Sequence, residues 1–509
     1  MGDFAADLMQ AYSFEGPGVR LGRPFVDPAA PVTEVDVRIP LNLVNRHGLI
    51  AGATGTGKTK TLQLIAEQLS AAGCPVFAPD MKGDVAGLGA PGDASPAIEE
   101  RATTLAYDWA AVGIPVEIVS LIGEDGVPIR ASLTQFGPTL LAKVLDLNET
   151  QESSLALVFR FCEERELHLI DLVDLRAALA YLVGPGKKDL AGLGGLSTAT
   201  VGVLQRKVSQ LEADGGDIFF GEPGFDILDL VRTAPDGRGV ATVLSLPSVA
   251  TKPKVFSTFL MWLLSELFEE LPEVGDPEKP TLAFFFDEAH LLFADASKAF
   301  LEAVTQTVRL IRSKGVAVFF VTQLPTDIPS DVLSQLGHRV QHAVRAFTPK
   351  DAKALKAAVQ TFPITDHYSD LAETLQSLGV GEAAVTVLDK RGVPTPVAST
   401  RIYPPSSRMG VLTAEERTAV ISASPLAPKY GQRVNRESAE EILSARLDGD
   451  RLAVDEAIQR AEPAPERPQQ PRDDDSLAEQ FGEVLQSPLA REVVRGIFGM
   501  LRPKRRRRR

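Results

Sequence analysis

Apolar positions along this chain follow two rhythms. Short buried runs come first: His47-Gly-Leu-Ile-Ala-Gly52, Pro75-Val-Phe-Ala-Pro-Asp80 and Val116-Glu-Ile-Val-Ser120 read as strands. Between the first two, Leu62, Ile65, Ala66 and Leu69 recur at helical spacing. The alternation breaks at Gly123. From about 132 to 212 the spacing is almost wholly helical, with stripes at Leu140, Leu141, Val144, Leu145 and Leu147, at Leu155, Val158, Phe159 and Cys162, and at Val173, Leu175, Leu179 and Leu182. The glycine-rich stretch 184–195 reads as an exposed loop. Strand patterning returns at 239–246 and continues through 282–288, 316–322 and 338–343, with helices over 255–271, 297–312 and 350–360. Two β-rich runs, 382–388 and 395–402, read as a hairpin.

Buried strands alternating with helices predict an α/β fold, a parallel sheet with helices on both faces. The boundaries that follow are an N-terminal segment over 1–45, a core from 46–122 and 236–402, and a helical insert over 123–235. Beyond them come a helical extension over 403–461, a Pro-rich acidic linker over 462–476, and an amphipathic helix with a basic tail over 477–509. Ligands of such sheets bind at the carboxyl ends of the strands.

Those ends carry the chemistry. Gly52-Ala-Thr-Gly-Thr-Gly-Lys-Thr59 is a complete phosphate-binding loop between a strand and a helix. Its nucleotide-binding candidates are Gly52, Ala53, Thr54, Gly55, Thr56, Gly57, Lys58 and Thr59, with Lys60 next in line. The glycines let N–H groups point at phosphate oxygens. Lys58 reaches the β- and γ-phosphates of ATP, and the Thr59 hydroxyl suits Mg²⁺. Downstream, Leu282-Ala-Phe-Phe-Phe-Asp287-Glu288 is an apolar strand ending in two carboxylates. Asp287 suits Mg²⁺ and Glu288 the role of general base toward water. Glu directly after Asp favours hydrolysis over binding alone. Gln323 closes the 316–322 strand and reads as a γ-phosphate sensor or, more plainly, as a turn cap. Asp80-Met-Lys82-Gly-Asp84 either lines the metal side or a neighbouring subunit's site, or is a charged turn. An arginine from a neighbouring chain can stabilise phosphoryl transfer. Arg339 is the first candidate and Arg345 the second, with Arg309 and Arg312 on the preceding helix. His290 reads as structural or coupling. His338 and His342, at i and i+4 in a strand-like segment, do not read as a metal pair.

Composition narrows the partners. The chain has 509 residues, 44% of them hydrophobic, enough for two or three domains. The apolar run 255–268 is interrupted by Ser257, Thr258, Ser265 and Glu266, so it reads as a buried helix and no transmembrane span is expected. The first residues lack the pattern of a signal peptide, and Ala6 stands where myristoylation needs Ser or Thr. Cys74 and Cys162 have no metal or disulfide spacing. The expectation is a cytoplasmic protein. A net charge of −14 argues against a surface coated with nucleic acid, yet leaves room for a DNA motor with basic pore loops. The run 504–509 is wholly basic and reads first as an auxiliary grip on DNA, the alternatives being that the preceding amphipathic helix lies on an acidic membrane surface or packs on the Pro-rich acidic linker and the core.

Taken together, the 52–59 loop, Asp80-Met-Lys-Gly-Asp84, Phe284-Phe-Phe-Asp-Glu-Ala-His290, Thr322-Gln-Leu-Pro-Thr-Asp-Ile-Pro329 and Leu336-Gly-His-Arg-Val-Gln-His342 resemble the HerA/FtsK superfamily of ring-forming ATPases, and within it the HerA-like helicase C-terminal proteins. The resemblance spans roughly residues 10–405, plus a similar C-terminal helix and basic tail. It implies a RecA-like P-loop NTPase core, a homo-hexamer, Mg²⁺-dependent ATP hydrolysis between subunits, and DNA translocation or helicase-like activity through a central pore. On that resemblance Lys58 and Thr59 bind nucleotide and Mg²⁺, Asp287 and Glu288 are the acidic pair, Gln323 is the sensor, and Arg339 acts in trans. The chain departs in one respect. Only about 45 residues precede the loop, too few for the β-barrel of HerA proteins, which leaves nuclease docking and end-resection activity without support. The alternative from another class is a nucleotide-controlled scaffold whose ATP state gates a protein partner through the 123–235 insert and the tail. Glu288 and Gln323 disfavour a small-molecule kinase. No protein partner is named by the sequence.

Overall fold

A computed structural model of the chain describes residues 2–446 other than 28–29, 124, 191–194, 248–251, 294–297, 347, 364–369 and 435. The expected linker over 462–476, the 477–501 helix and the basic tail lie outside the described residues. Residues 1–446 form one compact unit.

Its frame is a 12-stranded sheet. In chain order the strands are β1 (Gly18–Pro24), β2 (Val37–Pro40), β3 (Gly48–Ala51), β4 (Val76–Asp80), β5 (Val116–Ser120), β6 (Val127–Pro128), β7 (Ala241–Ser245), β8 (Leu282–Phe286), β9 (Val316–Thr322), β10 (His338–His342), β11 (Glu382–Thr386) and β12 (Ala398–Ile402). Their order across the sheet is β2-β1-β12-β11-β10-β3-β9-β8-β4-β7-β5-β6. From β10 to β6 every pairing is parallel; from β10 back to β2 every pairing is antiparallel. The expected parallel sheet is thus the central and far part. The expected hairpin is β11–β12, whose register pairs Glu382 with Arg401 and Val385 with Ala398. The first 45 residues add β1 and β2 to the antiparallel edge, where β1 pairs with β12. Gly22 allows that approach: a Cβ there would lie 2.0 Å from the Arg401 carbonyl oxygen.

The strands are buried on both faces, and their alternation feeds two cores. Phe284, Phe286, Val318 and Phe320 face the core shared with the insert and the Pro253–Glu270 helix. Ala283, Phe285, Ala317, Phe319 and Val321 face the core under the Lys58–Ala71 helix. The Pro253–Glu270 helix buries Phe256, Phe259, Leu260, Trp262, Leu263, Leu264 and Leu267, which explains its apolar sequence without a membrane. Among the described residues, no helix is long and apolar enough to cross a membrane.

The insert is helical over Leu133–Phe136, Pro138–Val144, Glu149–Glu164, Leu172–Val183 and Thr198–Ala213. Ser132, Asn148 and Asp171 each close a capping box at a helix start. Leu155, Val158, Phe159 and Cys162 are buried as the stripe requires. Two details differ from the sequence reading. Val173 is 45% exposed, because the buried face runs through Leu172, Leu175, Leu179 and Leu182 instead. Within 184–195, Pro185–Leu190 forms a 3-10 helix that buries Leu190, so this part is a packed turn and not an open loop. The insert also lends the sheet β6, parallel to β5. Its apolar residues share one core with one face of β8 and β9.

Candidate nucleotide site

The loop after β3 is tied down on three sides. The Gly52 N–H donates to the carbonyls of Thr322 (3.3 Å) and Gln323 (3.1 Å), and the Ala53 N–H to that of Ala343 (2.9 Å). The Gly381 N–H donates to the Thr56 carbonyl at 2.9 Å. Gly52, Gly55 and Gly57 have φ of +154°, +79° and +118°, a region that disfavours other residues. At Gly52 the need is doubled, since a Cβ would lie 2.5 Å from that of His342. The Lys58–Ala71 helix starts directly after the loop, so its N-terminal N–H groups face the anion site. Thr54 and Gly55 are exposed at the loop tip, and Thr59 and Lys60 are half-buried in the first helical turn.

His342 is a supporting residue that the sequence reading placed only as a non-ligand. It is fully buried. Its Nδ1 lies 2.9 Å from the Glu382 carbonyl and its Nε2 2.8 Å from the Thr61 hydroxyl. The carbonyl can only accept, so Nδ1 carries the proton and Nε2 accepts from Thr61. Burial pushes its pKa down to about 4, leaving it neutral. It pins the phosphate-loop helix to β10. Only the fold, which sets β10 between β3 and β11, makes this visible. His338 and His47 are likewise buried and hydrogen-bonded to backbone, at Leu43 O (2.7 Å) and Val308 O (2.9 Å). Among the described residues there is no cluster of three or more His, Cys, Asp or Glu side chains suited to a metal.

Lys58 donates to the Ala53 carbonyl at 3.2 Å, and burial lowers its pKa while Glu288 and Asp287 raise it. Lys60 donates to the Met409 carbonyl (2.6 Å) and to Gln63 (3.2 Å), turned away from the loop. β9 lies between β3 and β8, so phosphate loop, Gln323 and acidic pair share one edge. Gln323 is exposed there, with its carbonyl bonded to Gly52. Asp287 is buried, and burial together with the Glu288 charge pushes its pKa up to about 7. Its Oδ1 accepts the Glu288 N–H at 2.9 Å. Glu288 has φ +50° and meets the Lys82 ammonium at 2.7 Å. The donors fit Mg²⁺: a buried carboxylate short of counter-charge and a hydroxyl at the helix start are hard oxygen ligands.

Asp80 is not a ligand candidate on this geometry. Its carboxylate accepts the N–H groups of Lys82 (3.3 Å), Gly83 (2.6 Å) and Ala86 (2.9 Å), and so builds the turn that presents Lys82.

Arg339 lies elsewhere. It pairs with Leu49 in the β10–β3 register, below the phosphate loop, and its guanidinium donates to the carbonyls of Thr361 (2.5 Å) and Leu333 (3.5 Å). With Arg46, Arg309 and Arg312 it lines a cavity of about 560 Å³ at the amino ends of the strands. Within one chain none of these arginines belongs to the phosphate site. Arg345, exposed after β10, lies at the carboxyl edge.

The fold resembles that of a solved protein. The bacterial conjugative coupling protein TrwB, in its unbound form, superposes with a TM-score of 0.50 at 14% identity, covering 80% of this chain and 94% of that one. The DNA double-strand break repair helicase HerA of Sulfolobus acidocaldarius is 22% identical over 368 residues, covering 69% of this chain. This chain matches 64% of that relative's length. The model of the family described as Helicase HerA-like C-terminal matches residues 28–508. With the Gly52–Thr59 loop, Gln323 and the acidic pair on one edge of a largely parallel sheet, and that match over nearly all its length, the chain belongs to the HerA-like helicase C-terminal family of P-loop ATPases.

Proposed function

We propose that this chain is a Mg²⁺-dependent ATPase motor that forms a homo-hexameric ring and moves DNA in the cytoplasm. The observation that carries the reading is the shared edge: Gly52 bonded to Gln323, with Asp287 and Glu288 one strand away. ATP places its β- and γ-phosphates against the loop N–H groups. Lys58 leaves the Ala53 carbonyl for the phosphate oxygens. Thr59 and Asp287 would hold Mg²⁺, which would supply charge neutralisation at those oxygens. Glu288 takes a proton from water as its oxygen attacks the γ-phosphorus, and the bond to the bridging oxygen breaks to release ADP. Gln323 orients that water and registers the loss of the γ-phosphate.

DNA as the track is supported by family membership and by a relative named as a DNA repair helicase. The ring places the arginine cavity of one subunit against the site of the next. Arg339 is the first candidate for the trans role. Arg309 and Arg312 share its cavity and are not held by two carbonyls as Arg339 is. The test is ATP turnover with and without single- and double-stranded DNA, alongside mass by light scattering. DNA-stimulated turnover by a hexamer is expected. A monomer whose turnover ignores DNA overturns the motor and favours a nucleotide-controlled scaffold.

A further inference from the structure

β4 lies beside β8, so the turn after β4 stands next to the acidic pair. That turn is rigidly built. Asp80 accepts three of its N–H groups, and Gly83 takes φ +84°. From it Lys82 extends across the strand ends, and its ammonium lies 2.7 Å from Glu288 Oε1. The lysine side chain is 59% exposed and the glutamate only 15%. The other glutamate oxygen, Oε2, is shut off from solvent and has no hydrogen-bond partner among the described residues. The nearest ring nitrogen, His290 Nδ1, lies 3.5 Å away. One oxygen is therefore occupied by a cation and the other is closed. Only the remaining lone pair of Oε1, beside the Lys82 ammonium, is left for a water molecule.

We propose that Lys82 is a positioning residue that gates the general base: it holds Glu288 in a resting arrangement, and hydrolysis requires that contact to break. The inference rests on Glu288 being the base. A carboxylate engaged by an ammonium is a poor proton acceptor, because taking the proton would give up a charge-assisted hydrogen bond. The contact is also easy to open. An ion pair with one partner in water contributes little to stability, since solvent replaces it. Glu288, by contrast, is held at φ +50°, a backbone state that persists where the surroundings over-determine it and that marks switch regions. A mobile cation thus acts on a fixed base. A γ-phosphate arriving at the same edge offers Lys82 an alternative anion, so the gate opens when substrate is in place.

Substitutions at Lys82 separate gating from mere support. Lys82→Ala and Lys82→Met should raise kcat for DNA-independent ATP hydrolysis several-fold while weakening the binding of a fluorescent ATP analogue, since the γ-phosphate loses this cation. Lys82→Arg, which keeps the charge and the hydrogen bond, should hold the parent rate. Lys82→Ala combined with Glu288→Gln should be inactive. An unchanged or lowered kcat in both Lys82→Ala and Lys82→Met overturns the gate. Hydrolysis by Glu288→Gln alone would instead overturn the assignment of the base, and so is distinguishable.

Discussion

Asp287 carries its own pH dependence. Its carboxyl is raised to about 7, first by burial and then by the Glu288 charge. A raised carboxyl favours the protonated form in the folded chain, so Mg²⁺ must displace a proton below that pH. Apparent Mg²⁺ affinity should fall as pH drops from 7 toward 6, by up to about tenfold per unit. Glu288→Gln removes the neighbouring negative charge and should lower the Asp287 pKa. That variant should keep ATP binding, lose on the order of 10²-fold or more in turnover, and bind Mg-ATP more tightly than the parent at pH 6. Titrations at pH 6 and 8 check this; equal pH sensitivity in both proteins would separate Asp287 from the metal. At this scale the sequence was legible where backbone demands a residue type. Glycines at 52, 55 and 57 are required by their φ values. His342 was not legible as a support, because its partners Thr61 and Glu382 are brought together only by the sheet order. Nor was the placement of Arg339, set by carbonyls at 333 and 361.

Among the elements, the segment 404–412 straps the outer face of the phosphate-loop helix. The buried Glu67 carboxylate accepts the Ser406 N–H (2.8 Å), the Ser407 N–H (3.0 Å) and the Ser407 hydroxyl (3.0 Å). Gln63 donates to the Arg408 carbonyl at 3.1 Å and Lys60 to that of Met409 at 2.6 Å. Glu67→Ala would leave buried donors unpaired and should destabilise the fold by about 2 kcal/mol, read in denaturant unfolding, while Glu67→Gln keeps acceptor capacity and should cost less. Equal losses in the two variants would show that the strap needs the charge rather than the acceptor. No sequence pattern announced this strap, because its anchor is one glutamate on a helix far upstream. The β11–β12 hairpin was legible, since both runs alternate and the break between them is short. The stripe through Val173 was misphased because Leu172 also belongs to the buried face.

Across the whole molecule, three buried histidines set an acid limit. Burial lowers His47 to about 3, and His338 and His342 to about 4. Each stays neutral when folded but gains a proton near 6.5 when unfolded. Their contribution is therefore full above pH 6.5 and is lost as pH falls toward 4. One unit below 6.5 each should cost about 1.4 kcal/mol, so Tm should drop steeply between pH 7 and 5.5. A flat Tm over that range would show that the rings protonate in place. Assembly is tested at this scale too. Arg339→Ala should fold and bind ATP but lose most turnover, and mixing it with Glu288→Gln subunits should restore part of it, because mixed interfaces regain one intact site. No restoration, with Arg312→Ala or Arg309→Ala complementing instead, would transfer the trans role within the same cavity.

β9 joins the two ends of this arrangement. The carbonyls of Thr322, its last residue, and of Gln323 just beyond it hold Gly52, and near its other end the Val318 N–H is bonded to His47 Nδ1 at 3.0 Å. His47 Nε2 in turn meets the Val308 carbonyl, one residue before Arg309. Seven extended residues span about 23 Å. β9 is thus a pushrod: buried along its length, hydrogen-bonded to β3 and β8, and clamped at both ends. A displacement at Gln323 should therefore be felt at the arginine cavity. Swapping His47 for alanine should loosen the far clamp only. ATP affinity would then stand while turnover lost its dependence on neighbouring subunits, and unaltered subunit dependence would show that the rod is not the link.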